Sequence, residues 1–355
     1  MPSDPAIRAA ALDDPLPTVT SPLPILVIVG PTAGGKTALS IELATRLGGE
    51  CISADSMQVY RGMDIGTAKP TIEERCGVPH HLLDIVDPSS DGFTVDDWLE
   101  QCEAAVEAIR GRGHWPIVVG GTNLYVRALL EGLFKGPEPD PALRAELEAM
   151  PLATLREELD RVDPKAASRI HPNDLRRTVR AIEVFRLTGL PLSDHQTQWS
   201  SDLRSNVRPD AVIVGLDWPV EAINRRMNAR VRAMYDKGLI AEAERLRALG
   251  LGRQAREAVG YGEAVACLER RMSFEEAIEA TKIRTRRYGK QQRTWLRRFK
   301  GIPNALWLDA ATEPESTWAD RVLAWLKGAN DGLVLPPSAL PKQSQHSDSQ
   351  PIAKP

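Results

Sequence analysis

No apolar run in this chain approaches the roughly 18 residues that a membrane-spanning helix needs, so no membrane partner is expected. The first two dozen residues are broken by proline and carry Asp4, Asp13 and Asp14, without the apolar core of a secretory signal. Both features point to a cytoplasmic protein. Cysteine is scarce: Cys51, Cys76, Cys102 and Cys267 lie far apart and form no Cys-x-x-Cys pair, which disfavours a disulfide framework and a zinc site alike. His80, His81, His114 and His195 lack metal-like spacing and read as structural. No internal repeat is visible. The net charge of −3 excludes only a uniformly basic protein.

What is present begins at Ile25. The apolar run Ile25-Leu26-Val27-Ile28-Val29 reads as a buried parallel strand. It is followed by Gly30-Pro31-Thr32-Ala33-Gly34-Gly35-Lys36-Thr37, and then by a helical pattern with Leu39, Leu43 and Leu47 on one face. Strand, Gly-x-x-x-x-Gly-Lys-Thr and helix together are the context a P-loop requires. Its glycines let backbone N–H groups curl around an anion at a helix N-terminus, Lys36 adds a charge for the terminal phosphates, and the Thr37 hydroxyl is a ligand for Mg²⁺. The motif recognises a diphosphate without specifying a nucleoside, so ATP, GTP or another diphosphate would suit it.

Further strands are expected at 51–54, 81–86, 116–119, 211–217 and 305–308. Thr94 and Asp97 form a capping box ahead of a helix with Val95, Trp98, Leu99, Cys102, Val106 and Ile109 on one face. This alternation predicts an α/β fold, a P-loop doubly wound parallel sheet whose ligands sit at the carboxyl ends of the strands. Between 132 and 206 the alternation stops and the pattern becomes helical, charged and proline-punctuated. The expected organisation is therefore a core of 23–131 and 207–312 interrupted by a helical insertion domain at 132–206. Residues 1–22 and 330–355, rich in Pro, Ser, Gln and Asp, are expected to be disordered tails.

Three residue groups carry chemistry. Asp55 follows the second strand, where a carboxylate can act as a general base or as a partner of Mg²⁺. Ile117-Val118-Val119 ends in Gly-Gly-Thr rather than an acid, which argues against a hydrolytic ATPase. The stretch Thr281–Lys300 holds nine Lys and Arg and no acid, with Arg286, Lys290, Arg293 and Arg297 on one helical face. Tyr288 and Trp295 are interleaved as stacking groups would be on an RNA-binding surface. A second basic cluster runs from Arg169 to Arg180, with Arg176, Arg177 and Arg180 near one another on a helix.

Taken together, Gly30–Thr37, the run Ser53–Pro70, Val119-Gly120-Gly121-Thr122-Asn123-Leu124-Tyr125, Ile170-His171-Pro172-Asn173-Asp174, Val259-Gly260-Tyr261 and Lys290-Gln291-Gln292-Arg293-Thr294-Trp295 resemble the bacterial tRNA dimethylallyltransferases (isopentenyl-diphosphate:tRNA transferases). The likeness spans about Ile25 to Leu308. It implies transfer of a five-carbon prenyl group from dimethylallyl diphosphate to the exocyclic amine of the adenosine beside the anticodon, by a monomer using Mg²⁺. By resemblance Asp55 is the general base, Gly30, Pro31, Thr32, Ala33, Gly34, Gly35, Lys36 and Thr37 hold the Mg²⁺-diphosphate, and Arg230 adds charge at the leaving group. Asp55, Ser56, Met57 and Gln58 line the pocket for the base. The resemblance places tRNA contacts at Thr122, Arg144, Arg176, Arg177, Thr178, Val179 and Arg180. It places others at Glu257, Ala258, Val259, Gly260, Tyr261 and Gly262, and at Lys290, Gln291, Gln292, Arg293, Thr294, Trp295, Leu296 and Arg297. Two positions depart from the family's usual pattern: Gln291 replaces a common Arg, and Gly262 a longer side chain. No Cys follows Cys267, so the zinc finger of eukaryotic relatives is not expected. The rival readings are a P-loop nucleoside or nucleotide kinase, and a non-catalytic RNA-binding protein with a nucleotide switch.

Overall fold

The computed structural model describes residues 23–90, 92–196, 207–302 and 305–328. The expected tails, 1–22 and 330–355, and residues 197–206 lie outside them. In chain order come β1 (Ile25–Val29), α1 (Lys36–Leu47), β2 (Gly49–Ala54), β3 (His80–His81), α2 (Val95–Gly111), β4 (Trp115–Gly120) and α3 (Asn123–Glu131). Five helices follow: α4 (Pro141–Ala149), α5 (Leu152–Val162), α6 (Pro164–Arg169), α7 (Leu175–Thr188) and α8 (Leu192–His195). The chain returns to the sheet at β5 (Ala211–Asp217). It then forms α9 (Val220–Asp236), α10 (Leu239–Leu249), α11 (Arg253–Arg256), α12 (Tyr261–Leu268) and α13 (Phe274–Phe299), and ends with β6 (Ala305–Asp309) and α14 (Trp318–Gly328).

The six strands are all parallel, in the order β3-β2-β4-β1-β5-β6. Every residue of β1 is buried, as expected for a central strand covered on both faces. Its side chains alternate. Leu26 and Ile28 pack with α1 and α14, whereas Ile25, Val27 and Val29 pack with α2, α3 and the end of α13. Thr94 closes α2 with the capping box read from the sequence, and Trp98, Cys102, Val106 and Ile109 form its buried stripe. The helices α4–α7 have a core of their own around Leu147, Leu155, Leu159 and Ile182.

Two expectations need correction. The strand expected at 81–86 reduces to His80–His81, because Leu82 and Asp84 adopt left-handed backbone (φ 61° and 57°). That twist turns the Asp84 carboxylate onto the buried Lys69 ammonium, 2.5 Å away, which also binds Asp64 and the Tyr60 carbonyl. Only Val86 rejoins, in a single bridge to Tyr60. The core also extends past 312: α14 buries Trp318, Ala319, Val322, Leu323 and Leu326 against α1 and β6.

Candidate active site

The loop between β1 and α1 has left-handed backbone at Ala33 (φ 61°) and Gly35 (φ 90°). Gly34 is required by space, since a Cβ there would lie 2.8 Å from the Pro31 carbonyl oxygen. No side chain caps α1 and no acid stands in its first turn, so its leading amides remain available to an anion. Lys36 Nζ meanwhile donates to the Pro31 carbonyl at 2.9 Å. Burial, with the Arg230 charge adding to it and Asp55 opposing, pushes the Lys36 ammonium down to about 8. Thr37 is exposed at the mouth of the loop.

Residues far away in sequence fix this loop. Trp218 Nε1 donates to the Gly34 carbonyl at 3.1 Å and Arg226 Nε to the Ala33 carbonyl at 2.8 Å. Arg226 lies 4.6 Å over the Trp218 ring and is paired with Glu315. On the inner side Thr32 N–H donates to Gln292 Oε1 at 2.8 Å. Arg226 and Glu315 have no sequence signal, Trp218 has only its place just past the carboxyl end of β5, and Gln292 stands in a motif that pointed to RNA and not to this loop.

Asp55 follows β2 directly. Its Oδ1 accepts from the Met57 and Gln58 amides at 2.9 and 3.3 Å, and its other oxygen has no hydrogen bond among the described residues. Thr122 Oγ1 accepts from the Ser56 amide at 3.0 Å, locking this turn to the end of β4. Gln58 is held through Ser53 Oγ (3.2 Å) and the Thr67 carbonyl (3.2 Å). Arg230, half-buried on α9, makes no hydrogen bond or ion pair with the described residues. Burial lowers its pKa, and the nearby Asp55 carboxylate opposes that shift. Lys36, Thr37, Asp55, Gln58 and Arg230 thus line one small chamber of about 60 Å³. Across Lys36, Thr37 and Arg230 it adjoins an open cleft of about 750 Å³ with Ile41, Ile65 and Met234 on its wall.

The loop that closes this cleft is itself pinned. Glu242, buried on α10, accepts from the Asp64, Ile65 and Gly66 amides at 2.9–3.2 Å and from Tyr261 Oη at 2.7 Å. Tyr261 is therefore a core residue, as are Ala258 and Gly260. Of that run Glu257 is exposed and Val259 and Gly262 are half-buried. Thr178 and Val179 are likewise buried within the α4–α7 packing. Their neighbours Arg176 and Arg177 are exposed. Arg144 of α4 and Arg176 and Arg180 of α7 face Arg253 and Glu257 across a cleft of about 460 Å³. Arg144 and Arg180 share the buried Glu183 carboxylate at 2.6 and 2.7 Å.

On α13 the basic stripe is only partly free. Lys282 pairs with Glu279, Arg284 with Glu263 and Lys300 with Asp217, while Arg286 donates to Asn228 Oδ1. Lys290, Gln291, Thr294 and Arg297 are exposed, Arg293 is half-buried, and Gln292 and Leu296 are buried. Neither aromatic is an open stacking surface. Trp295 lies between the Arg127 and Arg298 guanidinium groups, 5.6 and 5.3 Å from its ring. Tyr288 points inward, its hydroxyl 3.4 Å from the Gly121 carbonyl, and lines the chamber beside Asp55. Burial raises its phenol, and Asp55 adds to the shift, so it stands there as a neutral group.

A P-loop held open for an anion, a half-free carboxylate opposite it and an unpaired arginine between them define a P-loop α/β transferase that works on a phosphorylated substrate. The comparisons sharpen that class. Residues 58–299 match the family model described as IPP transferase. The tRNA dimethylallyltransferase of Shouchella clausii is 46% identical over 312 residues, 86% of this chain and 97% of that protein. That of Corynebacterium jeikeium is 45% identical over 80% of this chain and 91% of its own length. Among solved structures, the full-length tRNA isopentenylpyrophosphate transferase from Bacillus halodurans superposes with a TM-score of 0.62 at 41% identity, covering 87% of this chain and 97% of that one. A eukaryotic dimethylallyltransferase acting on tRNA gives 0.74 at 29% identity, over 86% and 79%. The chain belongs to the IPP transferase family.

Proposed function

We propose that the protein transfers the dimethylallyl group of dimethylallyl diphosphate to the exocyclic amine of the adenosine beside the tRNA anticodon, giving N6-isopentenyladenosine and diphosphate. The observation that carries this reading is the chamber itself: the P-loop, Arg230 and the free oxygen of Asp55 meet in one small space. The diphosphate rests on the uncapped amides of α1, Lys36 and Arg230, which take up the charge that develops as the C1–O bond breaks. The adenine amine attacks C1, and its proton passes to the free Asp55 oxygen. The two amides bonded to Oδ1 keep that carboxylate aimed. Gln58, already fixed on both sides of its carboxamide, forms a rigid edge for the incoming base, which must leave its stack to reach it.

The donor set suits a metal that travels with the substrate. An exposed Thr37 hydroxyl and a single carboxylate fit Mg²⁺, which keeps several waters and binds through substrate phosphates. Among the described residues no group of three or more His, Cys, Asp or Glu is built to cage an ion. When bound, Mg²⁺ would neutralise charge on the leaving diphosphate.

On the RNA side, the exposed Arg176 and Arg177, the cleft faced by Arg144 and Arg180, and the exposed Lys290 and Arg297 form the tRNA grip. The helices α4–α8 act as its second arm. No helix among the described residues is long and apolar enough to cross a membrane. We further propose that the protein works in the cytoplasm as a monomer. Incubation with labelled dimethylallyl diphosphate, ATP and bulk tRNA tests the reading. Label on RNA is expected; phosphoryl transfer from ATP, or no transfer, would replace it by a kinase or an RNA-binding switch.

A further inference from the structure

Gln292 is 2% exposed, although it sits in the most basic segment of the chain between the exposed Gln291 and the half-buried Arg293. Its carboxamide is consumed inside the protein. Oε1 accepts from Thr32 N–H in the diphosphate loop at 2.8 Å, and Nε2 donates to the Gly121 carbonyl at 2.9 Å. The fit at Gly121 is close: a Cβ there would lie 2.3 Å from Nε2. Thr122, the next residue, takes the Ser56 amide and so locks the turn that bears Asp55. One side chain therefore joins the half of the site that receives the leaving group to the half that carries the base. The same helix turns Lys290, Gln291 and Arg297 outward.

We propose that Gln292 is a positioning residue that couples occupation of the diphosphate loop to engagement of RNA by α13, and that it makes no contact with RNA itself. The proposal rests on the prenyl-transfer reading above. The coupling comes from rigidity. Gln292 and the outward cations share a helix, so any RNA that sets the position of α13 also sets Oε1 against Thr32 N–H. A loop already held in its diphosphate-ready form loses less freedom on binding. By linkage the effect must be reciprocal: diphosphate tightens RNA by the same factor by which RNA tightens diphosphate.

The test is equilibrium binding with two probes, an anticodon stem-loop RNA and the unreactive thiolo analogue of dimethylallyl diphosphate, each titrated with and without the other at saturation. Wild type should show mutual tightening of roughly 5–150-fold. Gln292→Met, similar in length but unable to make either bond, should bind the RNA alone within about threefold of wild type, bind the analogue alone more weakly, and lose most of that factor. Lys290→Ala, on the outer face, should bind RNA more weakly and keep the factor. Gln292→Glu keeps the acceptor for Thr32 but faces Gly121 with a carboxylate; its factor should also fall, which serves if the Met variant does not fold. Full retention of the factor in either Gln292 variant overturns the proposal, as does a wild-type factor of one. A wild type that binds both probes without mutual tightening leaves the prenyl-transfer reading intact. One that binds neither probe and transfers no label removes both.

Discussion

Glu50 and Asp55 stand at opposite ends of β2, and the protein treats these two carboxylates in opposite ways. At the amino end Glu50, 3% exposed, receives two bonds from Arg112 at 2.8 Å and shares others with His81 (2.6 Å) and His114 (2.7 Å). Arg112, with the two histidines adding to it and burial opposing, holds the Glu50 carboxyl at about 2. At the carboxyl end Asp55 has one oxygen tied to backbone amides and, among the described residues, the other free, beside an arginine without a partner there. A saturated carboxylate fastens strands together and can accept nothing more. A half-saturated one is aimed and still able to take a proton. The free valences of this fold are thus concentrated where parallel strands end.

The largest effect should come from emptying the reactive end. Asp55→Asn keeps the shape and the amide contacts but cannot accept the proton, so the single-turnover rate should fall roughly 10²–10⁴-fold with both substrates still bound. Recovery of the wild-type rate at raised Mg²⁺ would reassign Asp55 to ordering the metal. The matching change at the other end, Glu50→Gln, should leave the rate of the folded enzyme unchanged and lower its stability by about 2 kcal/mol, seen in urea unfolding. A lost rate at full stability would erase the contrast. Because the folded Glu50 pKa lies below the ordinary value of 4.5, its contribution is complete above that pH and disappears as pH falls towards 2. The acid unfolding of Glu50→Gln should therefore converge with wild type in that window.

A smaller effect is expected from Lys36. Its ammonium titrates near 8 in the free protein, so affinity for inorganic diphosphate should weaken above that pH, by up to about tenfold per unit. Comparison with Lys36→Arg separates this loss from ionisation of diphosphate itself; parallel profiles would exclude Lys36 as its source. The smallest change concerns the outer face of α13. Lys290→Ala and Arg297→Ala should each flatten the salt dependence of tRNA binding by about 0.7–0.9 in slope. Unchanged slopes would make those cations part of a solvated face.

The reactive end of the sheet was legible because its chemistry is local. A P-loop is eight consecutive residues, and Asp55 directly follows an apolar strand, so period and motif suffice to find both. The helical run α4–α8 was foreshadowed by the loss of strand-helix alternation after Gly132. The amino end was not legible. His81 and His114 were read correctly as structural, but nothing in their spacing reveals that both converge on Glu50. The basic run of α13 misled in a specific way. Its composition lacks acids, yet Glu263, Asp217 and Asn228 arrive from other elements and occupy several of its cations. Tyr288 and Trp295 looked like stacking groups for the same reason, since sequence shows which residues are adjacent but not which side of a helix is covered. Helix α14 escaped notice because its short apolar pattern lies beyond the last expected strand.

The supports of the diphosphate loop bear on how the protein is made. The loop occupies residues 30–37, yet its backbone is held by side chains 184, 193 and 260 positions later, and Glu315 completes the set by pairing with Arg226. A ribosome delivers the phosphate-binding turn almost at the outset and its fasteners near the finish. Such distant contacts form slowly and late. Until they form, Ala33 has no partner to offset its left-handed backbone. The nascent chain can thus pair β1 and β2 through β4 while the enzyme remains unable to grip its small substrate. Competence arrives only when Gln292 and Glu315 are in place.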